Sequence, residues 1–435
     1  MRFESTRDSK HEVGLSEAIS RGLAPDGGLY VPERLPQFDP AQMPGAEDLS
    51  ELAACLIAPF AQGDALATHL DEITADAFNF SVPIVELDRA SGPLSVLELF
   101  HGPTAAFKDF GARFLAASLQ RIARPDSRRL TILVATSGDT GGAVAAAFYD
   151  RPWVDVVVLY PKGRVSARQE KQLACWGRNV QTLSVDGTFD DCQRLVKQAF
   201  VDTGLNEAVL LSSANSINVG RLLPQMVYYA KASLELAQQD GQAPNFIVPT
   251  GNLGNALACI WAREAGLPIG KIVLATNENQ SVPDFLDSGE WTPRPSVATL
   301  ASAMDVGNPS NMERLRWLFP DWSRLRQQVT AVTVSDAEIR ETIRKDHEGL
   351  GQTWCPHTAT AAFAYSRMSP QRRAERWVLV ATAHPAKFND IVEPLIGEPV
   401  PVPTALAELL AKPSLQTEVP ASLGALRQVL LERAA

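Results

Sequence analysis

A lysine stands among small and aromatic residues in LFHGPTAAFKDFGARFL, residues 99–115. Lys108 follows Phe107 and precedes Asp109, although a lysine side chain ordinarily prefers water. It is either a surface residue at the start of an amphipathic helix or an amine that is kept partly dry. A dry amine acts as a nucleophile or carries a Schiff base, so Lys108 is the candidate catalytic residue.

A glycine-rich junction follows the apolar run NFIVPT and opens the helical pattern GNLGNALACIWAREAG. Glycines let backbone N–H groups approach an anion, and a helix N-terminus favours negative charge. The junction is either a phosphate site or a turn with a packing role, and it matches neither a P-loop nor GxGxxG. Its candidate phosphate-binding residues are Thr250, Gly251, Asn252, Leu253, Gly254 and Asn255.

Two further junctions carry polar residues in front of helical patterns. In ATSGDTGGAVAAA, free N–H groups and hydroxyls would hold a carboxylate or phosphate, although one such residue alone would serve as an N-cap. In SSANSINVGRLLPQ, the arginine either binds a phosphate or lies on the surface of a polar loop. The candidate ligand-binding residues are Ser137, Gly138, Asp139, Thr140, Asn215, Ser216 and Arg221.

A threonine follows the last apolar run, in WVLVATAHPAKF. The hydroxyl of Thr382 is expected at the carboxyl end of a strand, where it would meet a ring nitrogen. In the same motif, His384 is either structural or functional. Lys387 is predicted on the exposed face of the following helix.

The elements that must position these residues alternate between strand and helix from about residue 91 onward. The β-branched runs are LTILVA (130–135), VDVVVLYP (154–161), NFIVPT (245–250), KIVLATN (271–277) and WVLVATAHP (377–385). Nearly continuous apolar strands followed by helices predict a buried, mostly parallel sheet and an α/β fold. Ligands bind where such strands end, so the polar junctions are expected to converge on one site.

Composition narrows the possible partners. The chain has 435 residues and a formal charge of −10, with no basic run, which argues against nucleic acid as the main partner. No membrane span or signal peptide is evident, which indicates a cytoplasmic protein. The five cysteines are widely spread and the six histidines show no ligand spacing, so neither a metal site nor a disulfide framework is expected.

A lysine, a phosphate loop and a hydroxyl at a strand end match the needs of pyridoxal phosphate. The chain resembles the threonine synthase family, of the long bacterial and fungal type. The likeness rests on an ordered set of motifs between residues 3 and 388: FESTR, RGLAPDGGLYVPE, FHGPTAAFKDFGARF, ATSGDTGGA, SSANSINVGRLLPQ, PTGNLGN, DVGNPSNMER and ATAHPAKF.

The resemblance implies fold type II of the pyridoxal-phosphate enzymes, which is similar to the tryptophan synthase β subunit. It implies two open parallel-sheet α/β domains and an N-terminal domain. The predicted division is 1–90 for the N-terminal domain, 91–127 with 225–397 for the large domain, 128–224 for the small domain and 398–435 for a C-terminal linker and helix.

The resemblance also implies roles for the candidate residues. Lys108 is similar to the lysine that binds the cofactor, residues 251–255 to the loop for its phosphate, and Thr382 to the partner of its pyridine nitrogen. Asp139 corresponds to a position near the cofactor's 3′-oxygen. The substrate contacts implied are Ser137, Gly138 and Thr140, with Asn215, Ser216 and Arg221 around the substrate phosphate.

The activity implied is a lyase reaction that converts O-phospho-L-homoserine and water to L-threonine and phosphate, the last step of threonine biosynthesis. It proceeds by γ-elimination and then β-addition, in a monomer or homodimer. The alternatives are a phospho-lyase that gives 2-oxobutyrate, a serine or threonine dehydratase, and a non-catalytic binding protein of the same fold. Two positions depart from the family pattern: Asp8 replaces a usual glycine, and Cys355 replaces a common acidic residue before the PHT sequence of His357 and Thr358.

Overall fold

The structure is a computed structural model that describes residues 1–87, 92–123 and 128–434. The predicted domain boundaries at 90–91 and at 127 lie outside the described residues. The strands are β1 (Phe3–Ser5), β2 (Glu12–Val13), β3 (Tyr30–Pro32), β4 (Ile84–Leu87), β5 (Leu94–Glu98), β6 (Leu130–Ala135), β7 (Val154–Pro161), β8 (Val180–Asp186), β9 (Leu210–Ser212), β10 (Asn245–Pro249), β11 (Ile272–Thr276), β12 (Val329–Thr333), β13 (Trp377–Ala381) and β14 (Gln416–Pro420).

Helices fill most of the intervals between the strands. They are α1 (Leu15–Arg21), α2 (Leu49–Ala61), α3 (Leu70–Ala77), α4 (Lys108–Arg121), α5 (Asp139–Phe148), α6 (Ala167–Ala174), α7 (Phe189–Val201), α8 (Thr203–Ala208), α9 (Val219–Leu222), α10 (Gln225–Asp240), α11 (Gly254–Glu264), α12 (Ser281–Ser288), α13 (Met312–Leu318), α14 (Trp322–Arg326), α15 (Asp336–Leu350), α16 (Pro356–Ser366), α17 (Pro370–Arg373), α18 (Asn389–Ile396), α19 (Thr404–Ala411) and α20 (Leu423–Ala434). Short 3₁₀ turns include Ser302–Met304 and Pro385–Phe388.

Two open sheets carry the α/β architecture, and the predicted fold class is confirmed. The large sheet has the strand order β12-β11-β10-β13-β5-β4, parallel except for the antiparallel pair β4 and β5. The small sheet has the order β14-β8-β7-β6-β9 and is parallel throughout. The central strands β7, β10, β11 and β13 are buried along their whole length, which explains their continuous apolar sequences.

The sheets extend beyond the segments assigned from the sequence. Strand β4 lies within the predicted N-terminal domain, 1–90, yet it pairs with β5 of the large sheet, for example Val85 with Val96. The predicted C-terminal linker and helix, 398–435, also contains β14, which pairs with β8 at the edge of the small sheet. Strand β14 is mostly exposed, because edge strands face solvent, and QTEVP therefore lacks the apolar run of a buried strand.

The N-terminal residues form a small antiparallel sheet, β2-β1-β3, and three helices that pack onto the rest of the chain. Helices α1 and α3 contact α4, and α2 contacts α10. Their buried apolar residues, such as Leu56 and Phe60, join the same hydrophobic core as Phe110 and Tyr228. The N-terminal region therefore supports the two helices that flank the predicted site, α4 and α10.

Candidate active site

The polar junctions converge on one cavity between the carboxyl ends of the two sheets, as expected for parallel α/β folds. The predicted residues that line it are Lys108, Ser137, Asp139, Thr140, Asn215, Ser216, Arg221, Thr250, Gly251, Asn252, Leu253, Gly254, Asn255 and Thr382. Gly138 is not among the lining residues. It has a positive φ of 137° in front of α5, and its N–H donates to Thr136 Oγ1, so it shapes the turn.

Lys108 is the first residue of α4 and opens onto the cavity. Burial of the amine within the protein lowers its pKa to about 8, which Asp139 opposes and the cations Lys387 and Arg221 reinforce. Its Nζ lies 5.7 Å from the centre of the Phe107 ring. About a tenth of the amine is therefore unprotonated at pH 7, far more than for an exposed lysine.

The turn before Lys108 is held by its own acidic neighbour and by the end of β13. The carboxylate of Asp109 accepts from the N–H and the hydroxyl of Thr104. The N–H of Phe107 donates to the Thr382 carbonyl at 2.9 Å. The aromatic residue Phe110 lies on the opposite face of α4 from Lys108 and points into a cluster with Phe78, Phe80 and Tyr228.

The glycine-rich loop turns from β10 into α11 beside Lys108. A Cβ at Gly251 would lie 2.5 Å from Met304 Cα, so only glycine fits against this segment. A Cβ at Gly254 would meet no protein atom closer than 3.5 Å. Because glycine has no Cβ, a recess is left at the start of α11. Leu253 has the left-handed φ of 63° that directs the following N–H groups of the first helical turn toward this recess.

The loop at 212–221 faces the glycine-rich loop across the cavity, and asparagine side chains tie the two together. Asn252 Nδ2 donates to Ser216 Oγ at 2.5 Å, and the Asn252 side-chain oxygen accepts from the Ser310 N–H. Asn311 Nδ2 donates to the carbonyls of both Ser216 and Asn252. The two predicted anion loops therefore form one connected wall.

Arg221 lies on the short helix α9 and is buried. Burial lowers the pKa of its guanidinium to about 10, against the attraction of Asp109, so it stays charged at neutral pH. One of its nitrogens donates to the Ala214 carbonyl, whereas Nε and the nearby Asn215 Oδ1 have no partner among the described residues. The unpaired Nε–H of this buried cation is suited to an anion such as a phosphate, whereas the Asn215 oxygen accepts and would need a donor from a ligand.

A second buried arginine, Arg314 of α13, holds this loop from behind. Its guanidinium donates to the carbonyls of Ser216 and Ile217 and to that of Tyr30 in β3. Asn218 donates in addition to the Ile19 carbonyl of α1. The N-terminal region therefore supports the loop that carries Arg221. The sequence alone does not predict this role.

Thr382 directly follows β13 and lines the cavity. Its Oγ1 is buried without a hydrogen-bond partner among the described residues. Such an unsatisfied hydroxyl needs a polar partner from a ligand. Together with the recess at Gly254 and the Lys108 amine, it fits a pyridine ring that carries a phosphate, so the residues present suit pyridoxal phosphate.

Asp139 and Lys387 form a buried ion pair that the sequence did not predict. Their side chains lie 2.9 Å apart and are almost fully enclosed. The predicted exposed position of Lys387 is wrong, because the Pro385–Phe388 turn packs against α6 and points this side chain inward. Burial raises the pKa of the Asp139 carboxyl, but Lys387 and Lys108 outweigh it and hold the pKa well below its usual range.

The PHT sequence begins α16 beside the site, with Cys355 in the N-cap position. Its Sγ accepts a hydrogen bond from the Thr358 N–H at 3.4 Å. The thiol therefore caps the helix in place of an acidic side chain. His357 lines the cavity, and its Nε2 accepts from the Ala303 N–H. Burial lowers the pKa of His357 to about 4, and the ring is neutral at physiological pH.

Metal ligands and membrane-spanning helices are two further features that bear on function. Among the described residues, His, Cys, Asp and Glu side chains form no group of three that would bind a metal ion. No helix in the described part of the chain combines the length and apolar character needed to cross a membrane.

Comparisons with known proteins cover the chain from end to end. The family described as pyridoxal-phosphate dependent enzyme matches residues 78–383. The families described as threonine synthase N terminus and threonine synthase, C-terminal match residues 2–78 and 358–430. Threonine synthase of Serratia marcescens is 41% identical over 434 residues, and that of Escherichia coli (strain K12) is 40% identical, each with 99% of both chains covered.

Solved structures give the same result. The crystal structure of threonine synthase from Escherichia coli superposes with a TM-score of 0.90 at 39% identity, covering 100% of both chains. The structure of PLP-bound threonine synthase from Brucella melitensis superposes with a TM-score of 0.91 at 35% identity, covering 100% of this chain and 99% of the other. The chain therefore belongs to the threonine synthases, a family of pyridoxal-phosphate-dependent enzymes of fold type II.

Proposed function

We propose that the chain converts O-phospho-L-homoserine and water to L-threonine and phosphate. The observation that supports this proposal is the buried, charged guanidinium of Arg221, which offers a second anion-binding position in the cavity besides the glycine-rich loop. The loop at 251–255 suits the cofactor phosphate, whereas the buried Arg221 has donors left for another anion. A serine or threonine dehydratase would not need this second anion-binding position.

The roles of the remaining residues are proposed from their positions. Lys108 and residues 251–255 would hold pyridoxal phosphate, Thr382 Oγ1 would serve its pyridine nitrogen, and Asp139 would serve its 3′-oxygen, since all of them line the cavity. Ser137 and Thr140 hold the substrate carboxylate at the start of α5, where the helix N-terminus favours negative charge, and Gly138, expected from the resemblance to be a further contact, shapes the turn between them. Asn215 and Ser216 join Arg221 around the substrate phosphate.

Bound pyridoxal phosphate supplies an electron sink for carbanions next to the substrate amine. Lys108 Nζ would accept the proton from the substrate Cα and pass it on, the bound cofactor supplying a place to hold it until it is returned to Cα. The freed amine would then accept a proton from Cβ and return it to Cγ after phosphate departs. A single amine serves these steps because bound geometry gives it a high effective concentration at each carbon. Arg221 holds the leaving phosphate, and water then adds at Cβ.

Product analysis tests this function. Purified holoenzyme with O-phospho-L-homoserine is expected to release L-threonine and inorganic phosphate in equal amounts. Chromatography of amino acids, a phosphate assay and a 2-oxobutyrate assay on the same sample check this. Ammonia and 2-oxobutyrate as main products would instead identify a phospho-lyase, and no turnover by the cofactor-loaded protein would favour a binding protein.

The substitution Gly111→Ala is expected to weaken the phosphate pocket from the side of α4. A Cβ at Gly111 would lie 2.8 Å from both Arg221 Nε and the Arg221 carbonyl oxygen, so the arginine must shift. We expect KM for O-phospho-L-homoserine to rise by about tenfold, with a loss of roughly 1–2 kcal/mol of stability from overpacking.

Initial rates and thermal unfolding measure the two effects of Gly111→Ala. Gly349→Ala is the matched control, because Gly349 also lies in a helix but has no atom within 4 Å of its would-be Cβ. An unchanged KM in Gly111→Ala would mean that Arg221 does not depend on this close contact.

The remaining proposals concern location, assembly and domains. We propose a cytoplasmic enzyme that acts as a monomer or homodimer. We retain the predicted division into N-terminal, large and small domains, with β4 assigned to the large domain and β14 with α20 to the small domain, since these strands complete the respective sheets.

A further inference from the structure

A second buried lysine lies behind the proposed catalytic amine. Lys387 is fully enclosed and donates from Nζ to the Thr104 carbonyl at 2.7 Å. Thr104 belongs to the turn that leads into Lys108. Lys387 therefore binds directly to the turn that holds the proposed catalytic lysine. The reaction proposed above gives Lys387 no step.

The partner of this lysine is the cavity residue Asp139. Lys387 Nζ lies 2.9 Å from Asp139 Oδ1, which also accepts from Gln169 Nε2 at 3.1 Å. Lys387 follows the large sheet, whereas Asp139 and Gln169 belong to helices of the small sheet. The ion pair therefore joins the two sheets across the floor of the active site.

The Lys387–Asp139 ion pair affects Lys108 because few other charged groups lie around this amine. The ionisable groups that face Lys108 are Asp139 on α5, Arg221 on α9, His357 on α16 and Lys387. His357 is neutral, since burial lowers its pKa to about 4. Among the described residues, Asp139 is thus the carboxylate that both lysines face, whereas Asp109, the other carboxyl near Lys387, is bound by Thr104. A carboxylate stabilises the protonated form of whichever amine it pairs with.

We propose that Lys387 is a positioning residue: its ammonium group holds the Asp139 carboxylate as an ion pair, so that a larger fraction of the Lys108 amine is unprotonated and reactive. This inference rests on the proposed role of Lys108. Without the Lys387 charge, Asp139 would be left with Lys108 as its cationic partner, and the proton would remain on the catalytic amine.

The test measures the protonation of Lys108 itself. The full-length chain, freed of cofactor, is labelled with an amine-reactive acylating reagent over a range of pH, and labelling of the Lys108 peptide is quantified by mass spectrometry. The variants are Lys387→Met, Lys387→Arg, Asp139→Asn and the double variant Lys387→Met/Asp139→Asn. Lys345→Met, at an exposed position, is the control.

The Lys108 labelling midpoint in Lys387→Met is expected to rise by about one pH unit or more, a roughly tenfold loss of reactivity below the midpoint. Lys387→Arg keeps the charge and is expected to stay near the parent. In the double variant, which removes both charges, the Lys108 labelling midpoint is expected to return toward that of the parent. A midpoint in folded Lys387→Met equal to that of the parent would overturn the proposal.

If Lys387→Met does not fold, Asp139→Asn decides the matter, because it removes the anion while Lys387 stays. Its Lys108 midpoint must fall below that of the parent, and an equal or higher midpoint would refute the inference. The labelling uses no substrate, so its result stands apart from the product assay. A shifted midpoint in a chain that yields 2-oxobutyrate would keep this inference and reject the proposed function.

Discussion

Lys108→Ala is expected to lower turnover of O-phospho-L-homoserine by at least about 10⁴-fold while the protein remains folded. The residue starts α4 at the cavity wall, and the turn before it is held by Asp109 and the end of β13 rather than by the lysine side chain. The substitution therefore removes the proposed proton carrier at Cα, Cβ and Cγ and leaves the support of the loop in place. Phosphate release under saturating substrate measures the loss.

The control for Lys108→Ala is Lys345→Ala, at an exposed position on α15, which is expected to retain full activity. Borohydride reduction of the parent holoenzyme, followed by peptide mapping, is expected to find the cofactor on the peptide that contains Lys108. Substantial turnover by Lys108→Ala, or a label on another lysine, would show that a different amine is used.

Arg221→Ala is expected to reduce kcat/KM for O-phospho-L-homoserine by about 10²- to 10³-fold, because a charge-assisted contact with a phosphate is lost in a buried pocket. The absorbance of the bound cofactor is expected to persist, since the glycine-rich loop and Thr382 do not use this side chain. Inhibition by inorganic phosphate is expected to weaken in parallel.

Arg221→Lys separates charge from shape in this pocket. Lysine keeps the positive charge but lacks the planar fork, so a loss between those of the parent and of Arg221→Ala is expected. Arg340→Ala, at an exposed position on α15, is the surface control. Loss of the cofactor absorbance in Arg221→Ala would assign this arginine to the cofactor or to the fold instead.

The strands and the site loops were predictable because each is a local pattern. The runs VDVVVLYP and LTILVA coincide with β7 and β6, since strands buried on both faces must be apolar throughout. Glycines and polar residues at the strand ends mark the junctions, and parallel strands bring those junctions to one edge. The convergence of Lys108, Arg221 and Thr382 follows from this geometry.

The unpredicted features depend on contacts between distant parts of the chain. Lys387 is a charged residue between Ala386 and Phe388, and its burial arises from packing of the Pro385–Phe388 turn against α6 and from its ion pair with Asp139 of α5. Likewise, the neutral state of His357 depends on burial against Ala303 and the cavity wall. The periodicity and composition of the sequence near Lys387 and His357 do not predict that these side chains are buried.

The pairing of β14 with β8 constrains the order in which this protein completes its fold on the ribosome. Thr417 pairs with Leu183, and α20 then covers α7, so this sheet receives its edge strand from residues translated long after its other four strands. Domains usually fold as units while synthesis proceeds from the N-terminus. Here the nascent chain must keep one sheet edge free until β14 has been made, and a product truncated before β14 would present that edge to other chains.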